Sequence, residues 1–224
     1  MPAHDDDKRE RTVKVPAGRA ELEGTLGVPR DAIGVVLFAH GSGSSRRSPR
    51  NRQVAAAFHR AGYASLLLDL LTAEEAETDQ QTRRLRFDIA MLAGRLTGAV
   101  GWLASRSDTG QLPLAIFGAS TGAAAALVTA ADRPKRVRLV ISRGGRPDLA
   151  GPALTRVVAP TLLIVGGADQ EVLGLNRAAA ARMGAEVELR IVAGATHLFP
   201  EPGALEAVID LATAALDRYL PLPR

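Results

Sequence analysis

The chain has 224 residues, 46% hydrophobic but only 4% aromatic: enough for one sizeable core of Ala, Val, Leu and Ile, with no compositional break between two domains. The formal charge is +4 and the sequence pI near 10.1, almost wholly from arginine, since lysine stands only at 8, 14 and 135. With no basic helix, aromatic stacking platform or nucleic-acid motif, that charge points to surface ion pairs or an anionic partner rather than nucleic acid. The absence of cysteine excludes thiol nucleophiles, disulfides and thiolate metal sites, and no 18-residue apolar run or secretory-type N-terminus occurs, so a cytoplasmic protein without a membrane span is expected.

Residues 1–11 are expected to be a flexible tail and residues 12–224 a single domain. Residues 12–15 and 21–28 alternate apolar and polar side chains around Pro16-Ala17-Gly18-Arg19 and predict an antiparallel pair. The apolar run 33–39 predicts a strand covered on both faces, ending in His40-Gly41-Ser42-Gly43-Ser44-Ser45. A helix over 52–61 follows, with Ser48 as cap and Pro49 in the first turn, then a buried strand over 63–69. The polar segment 72–81 reads as a small cap or a loop before an amphipathic stretch over 83–105, and its shortness predicts an open mouth above the sheet.

At residues 114–125 a short apolar strand runs through Gly118-Ala119-Ser120-Thr121-Gly122 into an alanine-rich helix. A serine on so sharp a strand-to-helix turn projects its hydroxyl above the sheet, and the unpaired N–H groups of the new helix face the same point. A strand over 137–142, the loop Arg143-Gly144-Gly145-Arg146-Pro147-Asp148 and a short helix over 149–156 come next. The run 160–166 then leads through Gly167-Ala168 to Asp169, a helix spans 171–183, strand 187–192 leads to His197, and a helix over 203–220 closes the domain. Ser120, Asp169 and His197 thus lie, in that order, just past the carboxyl ends of three predicted strands in a mostly parallel, doubly wound α/β sheet with helices on both faces.

On His40-Gly41-Ser42-Gly43, Gly118-Ala119-Ser120-Thr121-Gly122, Gly166-Gly167-Ala168-Asp169 and Gly194-Ala195-Thr196-His197, the chain resembles the α/β-hydrolase superfamily, and within it the compact dienelactone-hydrolase-like proteins, over roughly residues 20–220. The resemblance implies an α/β-hydrolase fold with little or no lid and a catalytic triad of Ser120, His197 and Asp169. It implies an oxyanion hole from the N–H groups of Thr121 and of Ser42, with Gly43 as the second choice. Dienelactone hydrolases proper are known for a cysteine nucleophile; serine in its place makes the chain similar to a cofactor-independent carboxylesterase for small or medium acyl esters. Thioesterase, lactonase or acyl-transferase chemistry would use the same triad, and a non-catalytic binding protein could use the same scaffold.

Other candidates carry plainer readings. His40 ends a buried strand and is expected to brace the loop, and Asp69 is the alternative orienting acid. Arg143 and Arg146 flank a glycine pair at the catalytic rim, where either could hold a substrate carboxylate or simply pair with Asp148. Arg46, Arg47, Arg50 and Arg52 either lead into a helix or steer an acidic substrate. No His pair has metal-ligand spacing and no Gly-x-Gly-x-x-Gly opens a helix, so neither metal nor dinucleotide is expected. Composition gives no oligomeric state.

Overall fold

The structure, a computed structural model, describes residues 10–220; residues 1–9, most of the expected tail, lie outside them. The last two residues of that tail belong to a strand. Glu10 and Arg11 open β1 (Glu10–Ala17), which pairs antiparallel with β2 (Ala20–Gly27). Both side chains are exposed, so this end of the strand carries no apolar alternation to mark it. The ladder continues to Ala17 and Ala20, and the four-residue spacer shrinks to Gly18-Arg19.

Six further strands follow: β3 (Gly34–Ala39), β4 (Tyr63–Leu68), β5 (Leu114–Ala119), β6 (Val137–Arg143), β7 (Thr161–Gly166) and β8 (Val187–Val192). They build one eight-stranded sheet in the order β1-β2-β4-β3-β5-β6-β7-β8, parallel from β4 onward. Side chains alternate between faces along each strand. Phe38, Phe117, Ile141 and Ile164 pack with α1 (Pro49–Arg60) and α6 (Ala204–Tyr219), whereas Leu37, Ile116 and Val140 pack on the other face with α3 (Ile89–Ala104) and α4 (Thr121–Asp132). The rings of Phe38, Phe58 and Phe117 sit 5.1–6.0 Å apart and supply much of the sparse aromatic mass.

Local chemistry explains the other departures from expectation. α1 begins at Pro49, three residues before the start read from the helical pattern, with Ser48 as its cap and Pro49 in its first turn as expected: Ser48 Oγ accepts the Asn51 N–H. Segment 72–81 folds as helix α2 (Ala73–Thr82), started by a capping box in which Thr72 and Glu75 bond reciprocally. The amphipathic stretch breaks at Asp88, which caps α3 after a 3-10 turn over Leu85–Phe87. The helix expected over 149–156 is a 3-10 segment, Pro147–Arg156, interrupted at Gly151, where φ is 55°. The helix after Asp169 is α5 (Gln170–Ala180). Among the described residues no helix is long and apolar enough to cross a membrane.

Candidate active site

Ser120 joins β5 to α4 with φ 50° and ψ −123°, a conformation a non-glycine residue adopts at a cost of about 1–3 kcal/mol. Backbone bonds hold it there. Its carbonyl accepts the N–H groups of Ala123 and Arg146, each at 3.1 Å, and its own N–H donates to Arg143 O at 3.4 Å. Two neighbours must lack a side chain: a Cβ on Gly41 would stand 2.9 Å from Ser120 Cβ, and one on Gly122 would collide with Ala39 O.

Asp169 follows β7 and leaves the N-terminus of α5 uncapped, because its carboxylate is taken by another partner. Oδ2 receives His197 Nδ1 at 2.7 Å. With Nδ1 donating, the bond assigns the tautomer in which Nε2 is free to accept a proton. Asp169 is 15% exposed and His197 39%, so the carboxylate is enclosed while the imidazole is partly open to solvent. A Cβ on Gly144 would lie 2.9 Å from His197 O and 3.7 Å from its Cε1. Gly144 directly follows Arg143, whose carbonyl holds the Ser120 N–H, so Ser120 and His197 flank one stretch of backbone at the carboxyl rim of the sheet. Among the described residues no hydrogen bond joins Ser120 Oγ to His197; such contacts commonly tighten only when substrate is bound.

Ser42 and Thr121 do meet, Oγ to Oγ1, at 3.2 Å. Thr121 is the first residue of α4 and its N–H has no intrahelical acceptor, which places an unspent donor next to Ser120. The loop carrying Ser42 is closed by Ser44 N–H donating to Gly41 O and turns through Gly43 at φ 67°. His40 braces it as expected: its Nδ1 lies 2.9 Å from Gly41 O, and Nε2 accepts the Leu70 N–H at 2.9 Å. Asp69 is engaged by Arg46 N and Nε, so Asp169, not Asp69, meets the histidine.

A cavity of about 670 Å³ opens beside the loop that carries Ser42, lined by Gly41, Ser42, Gly43 and Thr121 and walled by α2. It does not extend to Asp169 or His197. Two lining residues escaped the sequence reading. Asp79, buried in α2, accepts the N–H groups of Leu85 and Arg86 and holds Arg86 Nε at 2.5 Å, which brings the Arg86 guanidinium over Gly43. Nothing in the polar run around Asp79 signals its burial. Of the two rim arginines, Arg146 is bound by Asp148 through two bonds of 2.9 and 2.7 Å, while Arg143 is buried.

The strand order, the strained serine at the β5–α4 turn and the Asp–His pair two strands away define an α/β-hydrolase fold. Residues 22–220 match the model of the dienelactone hydrolase family, and the chain belongs to that family. The crystal structure of dienelactone hydrolase from Anabaena variabilis is 55% identical, with a TM-score of 0.92 over 94% of this chain and 98% of that one. Est1E from Butyrivibrio proteoclasticus shares the fold at 12% identity, with a TM-score of 0.77 over 92% of this chain and 98% of its own. Two curated Mycobacterium tuberculosis proteins, whose names propose a phosphoribosyl transferase, are 56% identical over 210 residues. That match takes in 94% of this chain but 46% of each relative, so the chain spans about half their length.

Proposed function

We propose that the protein is a serine hydrolase that cleaves small or medium acyl esters through an acyl-enzyme. The observation that carries this reading is the 2.7 Å bond between His197 and Asp169 on the rim that also holds the strained Ser120. In the proposed mechanism Ser120 Oγ attacks the acyl carbonyl carbon and passes its proton to His197 Nε2, while Asp169 orients the ring and stabilises its cationic form. The oxyanion is held by the N–H groups of Thr121 and Ser42; one such donor is worth about 3 kcal/mol in the transition state. His197 then protonates the departing alkoxide, and water, deprotonated by His197, releases the acid and restores Ser120. The cavity beside the oxyanion loop supports a medium-sized substrate.

Phosphoribosyl transfer is proposed by name for relatives about twice this length, whereas the Asp169–His197 pair beside the strained Ser120 supports the hydrolytic reading for this chain. A fluorophosphonate probe with an activated short-chain ester tests the reading. Covalent labelling at Ser120, with labelling and turnover both lost in Ser120→Ala, is the expected result. A wild-type protein that neither labels nor turns over the ester overturns it.

A further inference from the structure

Two arginines in the described structure are 7% exposed, and they are treated very differently. Arg95 gives its guanidinium to Leu70 O and to Glu75 Oε1. Arg143 has no carboxylate within ion-pair reach among the described residues, and its Nη1 is sealed from solvent without an acceptor. The charge nearest enough to act on it is another cation: burial, and then Arg50, pull the Arg143 guanidinium down to about 10, which still leaves it charged at neutral pH. Arg50 stands in the first turn of α1, where there is no acidic residue, and its Nε is likewise buried without a partner. The neighbouring Asn51 Oδ1 is a third buried atom without a partner; a half-turn of that amide would offer its NH2 instead.

The place is as informative as the missing partners. Arg143 is the last residue of β6, opposite Ala119 on β5, and its carbonyl holds the Ser120 N–H. Ser142 sends its hydroxyl toward Gly145 on the α4 side, so by strand alternation Arg143 points toward α1, like Leu139 and Ile141. Buried Arg143, half-buried Arg50 and a helix N-terminus, itself partially positive, therefore face one another beside Ser120, although like charges drawn out of water without a counterion are costly. A bound anion removes that cost.

We propose that Arg143 and Arg50 form an anion subsite beside Ser120 that takes an oxyanionic group, a carboxylate or a phosphate, carried by the substrate. The subsite itself rests on the two arginines; that its occupant belongs to the substrate rests on the hydrolase reading.

Thermal unfolding of the protein and of its Ser120→Ala form, titrated with inorganic phosphate or with succinate against KCl at equal ionic strength, is the test. A saturable rise in Tm in both forms with at least one of the two anions is expected, the stronger one identifying the group. Arg50→Met and Arg143→Met should abolish the rise, and Arg50→Met should raise the Tm in anion-free buffer by removing a like charge. Should Arg143→Met fail to fold, Arg50→Met on the helix carries the test. For turnover, the preference for a dicarboxylic or phosphorylated ester over a neutral one should fall at least tenfold in Arg50→Met. No rise beyond the KCl control with either anion, or a rise that survives Arg50→Met, overturns the subsite. Failure of fluorophosphonate labelling with the anion response intact would instead remove the hydrolase reading and leave the subsite standing.

Discussion

The Asp169 carboxylate makes one hydrogen bond among the described residues, to His197, and its removal tests what that bond is worth to the proposed chemistry. In Asp169→Asn the amide keeps the shape but presents an NH2 or a carbonyl where His197 needs a charged acceptor, so the tautomer with a free Nε2 loses its support. Ester turnover is expected to drop about 10⁴-fold, with circular dichroism and Tm close to the parent; an unchanged kcat would separate Asp169 from the chemistry. The places of Ser120 and Asp169 at the sheet rim were legible because each follows an apolar strand run and a glycine, and that of His197 because an alternating strand precedes its glycine turn. The bond from Arg146 to Asp148 was legible too, two residues apart on one loop. The burial of Arg143 was not: it depends on which face of β6 the last residue takes and on the first turn of a helix some ninety residues earlier.

The loop that carries Ser42 hangs on an imidazole. His40 uses Nε2 to accept from Leu70 and Nδ1 to bond Gly41 O, which together need the neutral ring. Burial lowers its pKa below the ordinary 6.5. The unfolded chain therefore binds a proton as pH falls through about 6.5 while the folded chain resists, so this contribution to stability is complete above that pH and is lost on acidification toward the lower folded value. His40→Gln, whose carbonyl can still accept from Leu70, should flatten the slope of unfolding free energy between pH 6.5 and 4.5 in urea titrations. A slope equal to the parent's would mean another group titrates there. Element boundaries were the weaker part of the sequence reading, for nameable reasons. Helix α2 has few apolar residues and so no clear period, but Thr72 and Glu75 spell a capping box that marks its start. Glu10 and Arg11 extend β1 by backbone pairing, with the Arg11 side chain bonded to Asp108 far along the chain, and no apolar alternation records either.

Across the whole molecule, the mostly parallel, doubly wound sheet followed from alternating strand and helix patterns, whereas the order of its strands was not read from them. Which aromatic rings would meet did not follow, because Phe38, Phe58 and Phe117 come from three separate elements. With so little aromatic content, that cluster is where the face toward α1 and α6 has most to lose. Phe117→Ala should destabilise the protein by about 3–5 kcal/mol, read as a lower urea midpoint with an unchanged m value. A loss below about 1 kcal/mol would show that the neighbouring side chains close the gap.

The frame around residue 120 is made from peptide groups and bare glycines, and its three hydrogen bonds never touch the serine hydroxyl. Holding the backbone at residue 120 and choosing the atom its side chain carries are thus separate matters in this architecture. Oxygen could give way to sulfur at this position by a single replacement, with the backbone left undisturbed.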